Sequence, residues 1–174
     1  MMIAFEKVSL RQYCADCKEK NITDVSNPVE IYNNIELPHR STIGSAGYDF
    51  IAPYDFILKP GENITILTGI RAIMPNGIVL LIAPRSGQGI KYKLQLMNTI
   101  GVIDADYQYA NNEGHIMIAI FNDNRKDAVL TVKQGTAFAQ GLFLPYYVTD
   151  DDNVTTQRQG GFGSTDKKTL DNEA

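Results

Sequence analysis

Five short segments carry side chains and glycines that packing alone does not require. The most informative is Asn98 to Gln108, NTIGVIDADYQ. Ile100, Val102 and Ile103 have the apolar character of a hairpin, yet Asp104 and Asp106 follow at once, and acids are depleted in strands. Asp104 could activate a water and Tyr107 could lie flat against a sugar; a polar hairpin tip is the plainer alternative. In APRSGQG (residues 83–89), Arg85 offers a bidentate donor fork, Ser86 a hydroxyl, and Gly87 and Gly89 free backbone N–H groups. That is either a phosphate cradle or a glycine-rich turn with a solvated arginine, and it is not a P-loop, because GxxxxGK[ST] is absent. GSAGYDF (44–50) sets small residues before Asp49, which suits close backbone approach or an ordinary turn into a strand. GTAFAQGLFLP (135–145) reads as a core strand interrupted by Gln140, a donor and acceptor that could equally sit on the strand's outward face. RQGGFGST (158–165) surrounds Phe162 with glycines and adds Arg158, Ser164 and Thr165. It suits a loop that meets a polyphosphate and stacks one ring on a base, or else a linker.

The elements needed to hold these groups are short strands. Apolar runs at 3–8, 56–58, 64–67, 70–74, 79–83, 116–121, 128–132 and 138–144 alternate with turn signals such as Pro75-Asn76-Gly77 and Lys133-Gln134-Gly135. Many short strands cut by turns predict an all-β sandwich, barrel or jelly roll. Residues 11–37 are polar with weak helical spacing and read as an insertion or long loop. Residues 146–174 read as a flexible C-terminal arm. The expected organisation is therefore one β domain over 1–145, carrying that insertion, and an arm over 146–174.

Composition narrows the class. The 174 residues suffice for one domain with a core, and 44% hydrophobic with 21% charged residues is ordinary for a soluble protein. A net charge of −4 argues against non-specific nucleic-acid binding. No run approaches the ~18 apolar residues of a membrane helix, and Glu6 and Lys7 interrupt any signal-like segment, so a cytoplasmic protein is expected. Cys14 and Cys17 form a CxxC, but His39 and His115 lie far from it without ligand spacing. Two reduced thiols in a surface segment are expected.

Taken in order, the five segments resemble the five motifs of the trimeric dUTPase family, with PRSG, GVIDADY and GGFGST nearly intact between Ile35 and Thr165. The resemblance implies a distorted β jelly roll that forms a homotrimer, with each active site drawing on three chains. It implies hydrolysis of dUTP to dUMP and pyrophosphate, dependent on Mg²⁺, which keeps uracil out of DNA and supplies dUMP for thymidylate synthesis. Asp104 matches the carboxylate that positions and deprotonates the attacking water. Tyr107 matches the ring beneath the deoxyribose, and Asn98 with the backbone near Gly101 the hairpin edge that reads uracil. Arg85, Ser86, Gly87 and Gln140 match phosphate contacts, and Asp49 an acid that helps hold the metal region through water. Arg158, Phe162, Ser164 and Thr165 match the arm that closes over the nucleotide of a neighbouring site.

The chain departs from the family pattern in several places. Tyr109-Ala110-Asn111-Asn112-Glu113 intervenes before Gly114, Gln88-Gly89 replaces a common Leu/Met-Ala, and Thr136-Ala137 stands where an acid and an arginine are frequent. The arm is one residue shorter between Arg158 and Phe162 and runs Ser164-Thr165-Asp166. Two rivals share the fold. A dCTP deaminase needs a catalytic Glu and a second Arg after the PRSG segment, where this chain has Gly87-Gln88-Gly89. A nucleotide-switched regulator would bind a protein partner through the insertions at 11–37 and 109–113.

Overall fold

The computed structural model describes residues 2–20, 27–156 and 158. In chain order the elements are β1 (Ala4–Lys7), α1 (Leu10–Glu19), α2 (Pro28–Asn33), β2 (Tyr48–Ile51), β3 (Phe56–Leu58), β4 (Asn63–Leu67), β5 (Ile70–Ile73), β6 (Ile78–Pro84), α3 (Ser86–Tyr92), β7 (Leu94–Leu96), β8 (Gly101–Ile103), a 3₁₀ helix (Ala105–Tyr109), β9 (Met117–Asn122), β10 (Leu130–Val132) and β11 (Ala137–Pro145). Among the described residues the strands form four sheets, in the orders β2-β11-β6-β8, β4-β9-β7, β1-β5 and β10-β3. Every pairing is antiparallel.

Alternation explains the packing. In β9, Ile118, Ile120 and Asn122 point inward while Met117, Ala119 and Phe121 are half-buried. Asn122 is tolerated inside because its amide donates to the Leu58 and Ala128 carbonyls, at 2.9 and 3.0 Å. Phe50, Leu80, Ile82 and Phe138 anchor the core, with Phe138 set edge-on to Phe56 at 6.0 Å between ring centres. The Pro75-Asn76-Gly77 turn forms as the sequence predicts, with Gly77 at φ +86, and launches β6.

The stretch expected to be an insertion or long loop contains helices α1 and α2, with residues 21–26 outside the described part. The physical reason is local. Ser9 caps α1, accepting from the Gln12 N–H at 3.1 Å, and Asn27 caps α2 with Pro28 at its first position. Tyr13, Asp16 and Cys17 form the buried face of α1. A charged residue in the middle of that stripe hides its helical period from a hydrophobicity reading. Both cysteines are free thiols, on a helix exposed along one side, with Cys17 buried on its inner face and Cys14 half-buried. No helix among the described residues is long and apolar enough to cross a membrane.

Candidate active site

Strands β7 and β8 and the connection between them make one wall of the site. Thr99 takes the left-handed φ of +67, and the Ile100 N–H turns back onto the Asn98 carbonyl at 2.7 Å, leaving Asn98 exposed at the tip. Gly101 is required by packing: a Cβ there would lie 2.9 Å from the Ile82 Cβ on the neighbouring β6. Asn98, Gly101, Ile103, Ile82 and Met117 line a largely apolar cavity of about 330 Å³. Lys20, at the end of α1, also lines it.

Asp104 ends β8, and its carboxylate is about half exposed. Three residues on, Tyr107 is almost fully buried at 3% exposure. Burial holds the Tyr107 phenol above its ordinary pKa. It therefore stays protonated and donates to the His115 carbonyl at 2.9 Å. The Asn112 amide in turn donates to its hydroxyl at 2.8 Å.

A second cluster stands at the far end of β6. Arg85 precedes α3 in extended backbone, and its Nε pairs with Asp49 Oδ1 at 3.1 Å. Ser41 donates to the other Asp49 oxygen at 2.8 Å. Gln140 is the register partner of Asp49 and donates to the Pro84 carbonyl at 3.0 Å. Gly47 lies so close that a Cβ would meet the Gln140 Oε1 at 2.6 Å. Arg85, Asp49 and Gln140, far apart in sequence, are thus brought together, with Ser86 and Gly87 exposed beside them. The Ala137 carbonyl, beside the position where the family pattern expects an ion pair, receives the Gln88 amide at 3.2 Å and the Arg85 guanidinium at 3.5 Å.

The two clusters are well separated in one chain. Register places Ile103 opposite Leu80, hence Asp104 beside Val79, whereas Arg85 lies six residues further along the strand. At about 3.3 Å per strand residue the separation is roughly 20 Å.

The start of the arm runs past its own Asp104. The Tyr146 N–H donates to the Gly77 carbonyl at 3.0 Å, and Arg158 reaches Asp104 at 2.6 Å and Asp106 at 3.1 Å. Its guanidinium carbon lies 5.5 Å from the Tyr107 ring centre. A cavity of about 1140 Å³ opens between Asp104, Asp106, Tyr109 and the arm. Arg158, expected on phosphate, therefore meets carboxylates, which attract the nearest free guanidinium. Phe162, Ser164 and Thr165 lie outside the described residues.

Sequence reasoning missed Ser41, Asp16, Asn112, Glu113 and His115, all of which touch site residues or the loop that supports them. Only the Ser9-x-x-Gln12 cap pattern signalled that a helix would bring Asp16 inward. Among the described residues, no group of three or more His, Cys, Asp or Glu side chains could hold a metal by itself.

Comparison with known proteins identifies the family. The dUTPase family model matches residues 33–166. The deoxyuridine 5'-triphosphate nucleotidohydrolase of Lactococcus lactis is 42% identical over 135 residues, covering 75% of this chain and 88% of that protein. The enzyme of the same name from Ehrlichia canis is 38% identical over 157 residues, covering 84% and 98%. The crystal structure of dUTPase from Streptococcus mutans superposes with a TM-score of 0.62 at 32% identity, covering 84% of this chain and 98% of that one. A phage phi11 dUTPase mutant, in which a structural Mg(II) ion is coordinated, superposes with a TM-score of 0.62 at 20% identity, over 90% of this chain and 98% of its own. With strands, hairpin and the Arg85–Asp49–Gln140 cluster in place and the match running from residue 33 to residue 166, the chain belongs to the dUTPase family.

Proposed function

We propose that this chain hydrolyses dUTP to dUMP and pyrophosphate, with Asp104 as general base, at sites shared between the subunits of a homotrimer. The observation that carries the reading is an accessible carboxylate, Asp104, set three residues before a buried, doubly hydrogen-bonded Tyr107 and directly after Ile103, which with Asn98 and Gly101 lines a mostly apolar cavity. Attack at the α-phosphorus needs a water held in line with the departing pyrophosphate. Asp104 orients that water and takes its proton as charge develops. Asn98 and the backbone near Gly101 read the uracil, and the fixed Tyr107 ring excludes a 2′-hydroxyl. Arg85, Ser86, Gly87 and Gln140 bind the phosphates, and Asp49 keeps the Arg85 fork aimed.

The separation of roughly 20 Å between Asp104 and Arg85 supports sharing, because one triphosphate cannot place its α-phosphorus at Asp104 and its chain on the same subunit's Arg85 cluster. Arg158, with Phe162, Ser164 and Thr165 beyond it, completes the site. It exchanges its carboxylate partners for phosphate oxygens, which are at least as strong acceptors. Residues 146–174 act as that arm.

The donor set suits Mg²⁺, which keeps several waters and needs only one or two protein carboxylates. Asp49 offers about four acceptor positions, and Arg85 and Ser41 use two, leaving lone pairs for metal-bound water. When bound, Mg²⁺ neutralises charge on the phosphate oxygens. The reading places the enzyme in the cytoplasm.

The lining of both cavities, among the described residues, contains no glutamate, which favours hydrolysis over dCTP deamination. The test is pyrophosphate release from dUTP, dTTP, dCTP and UTP, with ammonia measured alongside. Selective pyrophosphate release from dUTP is expected. Ammonia from dCTP, or no turnover of any of them, would overturn the reading.

A further inference from the structure

Helix α1 lies outside the segment that matches the family, yet it is bonded to the loop that holds Tyr107. Two links make the connection. Along its buried face, Asp16 Oδ2 meets His115 Nδ1 at 2.5 Å, and both side chains are essentially out of solvent. The other oxygen of Asp16 accepts from the Gln12 amide at 3.0 Å, one turn earlier. At the start of the helix, the Glu113 carboxylate accepts from the Ser9 N–H and the Ser9 hydroxyl, each at 2.7 Å. Ser9 is also the cap of α1, so one residue starts the helix and ties it to the loop.

The loop's geometry leaves it little freedom. Glu113 and Gly114 both take left-handed backbone, at φ +58 and +74. A Cβ at Gly114 would lie 2.8 Å from the Tyr107 carbonyl oxygen, so the two backbones touch. His115 Nε2 accepts the Gly69 N–H at 2.8 Å. The ring proton therefore sits on Nδ1 and is donated to Asp16. This fixes the imidazole on both sides and with it the His115 carbonyl, which accepts the Tyr107 hydroxyl. Asn112 completes the circuit: its amide donates to that hydroxyl, and its own oxygen accepts from the Gly114 N–H at 3.2 Å.

We infer that Asp16, His115 and the Ser9–Glu113 clamp are positioning residues for Tyr107. Helix α1 is thereby a working part of the sugar-selecting site rather than an appendage to it. The inference rests on Tyr107 being the surface that excludes a ribose 2′-hydroxyl. Without the clamp, residues 112–115 relax, the phenol loses the fixed carbonyl it donates to, and the ring tilts away from the sugar. The cost falls on discrimination before it falls on turnover, because Asp104 follows directly on β8, which is paired to β6, and lies upstream of this loop.

The experiment measures kcat/KM for dUTP and for UTP in the full-length wild type and in Asp16→Asn, Glu113→Gln, Ser9→Thr and Tyr107→Ala. The ratio of the two values cancels any loss of folded protein, since both nucleotides are turned over by the same active fraction. Asp16→Asn removes one acceptor from a buried site, and it should lower the ratio about fivefold or more. Glu113→Gln acts at the solvent edge, where misfolding is not at stake, and should lower it in the same direction. Ser9→Thr keeps both donors and should hold the wild-type ratio. If Asp16→Asn and Glu113→Gln both keep the ratio while Tyr107→Ala collapses it, α1 stabilises the fold and positions nothing, and the inference is wrong. If Tyr107→Ala itself leaves the ratio unchanged, the sugar reading falls and takes this inference with it.

Discussion

Asp104 and Glu113 do opposite things with the same functional group. Asp104 keeps one face open to solvent at the end of β8, where a water can reach it, and its present partner is a mobile class of group, an arginine side chain. Replacing it by Asn keeps the shape and removes the proton acceptor. Turnover of dUTP should then fall by roughly 10²–10⁴-fold, the usual span for a general base, with little change in the binding of a non-hydrolysable analogue. Steady-state kinetics beside calorimetric titration of the analogue checks both halves; activity within a few-fold of wild type would remove Asp104 from its role. Glu113 is instead saturated by the Ser9 N–H. This backbone bond, with help from the Ser9 hydroxyl and more distantly Arg71, holds its carboxyl below the ordinary value of 4.5. A depressed carboxylate stabilises the fold above its unfolded pKa and loses that contribution as pH falls through the folded one. The clamp is therefore intact at neutral pH and is released only below about pH 4.5. Hydrogen exchange at the Ser9 N–H should accelerate over that acid window in the wild type. In Glu113→Gln, which has no carboxyl to protonate, that acid-dependent acceleration should disappear once intrinsic rates are divided out.

At the scale of elements, the turn from the 3₁₀ helix into β9 is constrained by backbone on both counts. Gly114 combines a left-handed φ of +74 with contact against the backbone of residues 107 and 108. Gly114→Ala should cost about 1–3 kcal/mol or more of stability, since neither the conformation nor the neighbouring backbone can give way cheaply. Thermal melts of the variant against wild type measure this, and an unchanged Tm would mean the turn is looser than it looks. The arm obeys a different logic. Residues 146–156 touch the domain at few points, chiefly Tyr146 on Gly77. A chain ending at Thr156 should therefore melt like the full-length protein while losing most of its dUTP hydrolysis, because Arg158 and the glycine-rich segment go with the arm. Full activity in the truncated protein would show that the arm is not part of the site.

At the scale of the whole molecule, the separation between the Arg85 cluster and Asp104 makes a prediction about assembly. Two inactive proteins, Asp104→Asn with an intact Arg85 and Arg85→Ala with an intact Asp104, can be mixed equally, unfolded and refolded together. If the hairpin and the Arg85 cluster of one site come from different subunits, the two donors are independent in a closed trimer. Roughly one half times one half, about a quarter of sites, should then recover. Activity that stays at the level of the dead parents would mean that each site takes both parts from a single chain. Sedimentation analysis of the unmixed protein, with a trimer expected, guards against reading failed assembly as failed sharing.

Most of the strands and the family of the chain were legible in the sequence. Short apolar runs bounded by Gly, Pro, Asn and Asp read as strands, so β1, β3, β4, β5, β6, β9, β10 and β11 were legible. The motif residues Arg85, Asp104, Tyr107 and Gln140 stood out because each breaks the pattern that packing alone would write. β7 and β2 were harder because polar residues interrupt them, Gln95 in β7 and Asp49 in β2, and their pairing partners lie far along the chain. Helix α1 was read as loop because its buried face carries Asp16, whose charge is acceptable only once His115 has been folded against it from 99 residues away. The same cause hid the Asp49–Arg85 pair, the Ser9–Glu113 clamp and the contact of Arg158 with Asp104. A sequence announces interactions that repeat at a local period, whereas a buried polar group becomes interpretable only when its partner is known, and tertiary structure alone supplies that partner.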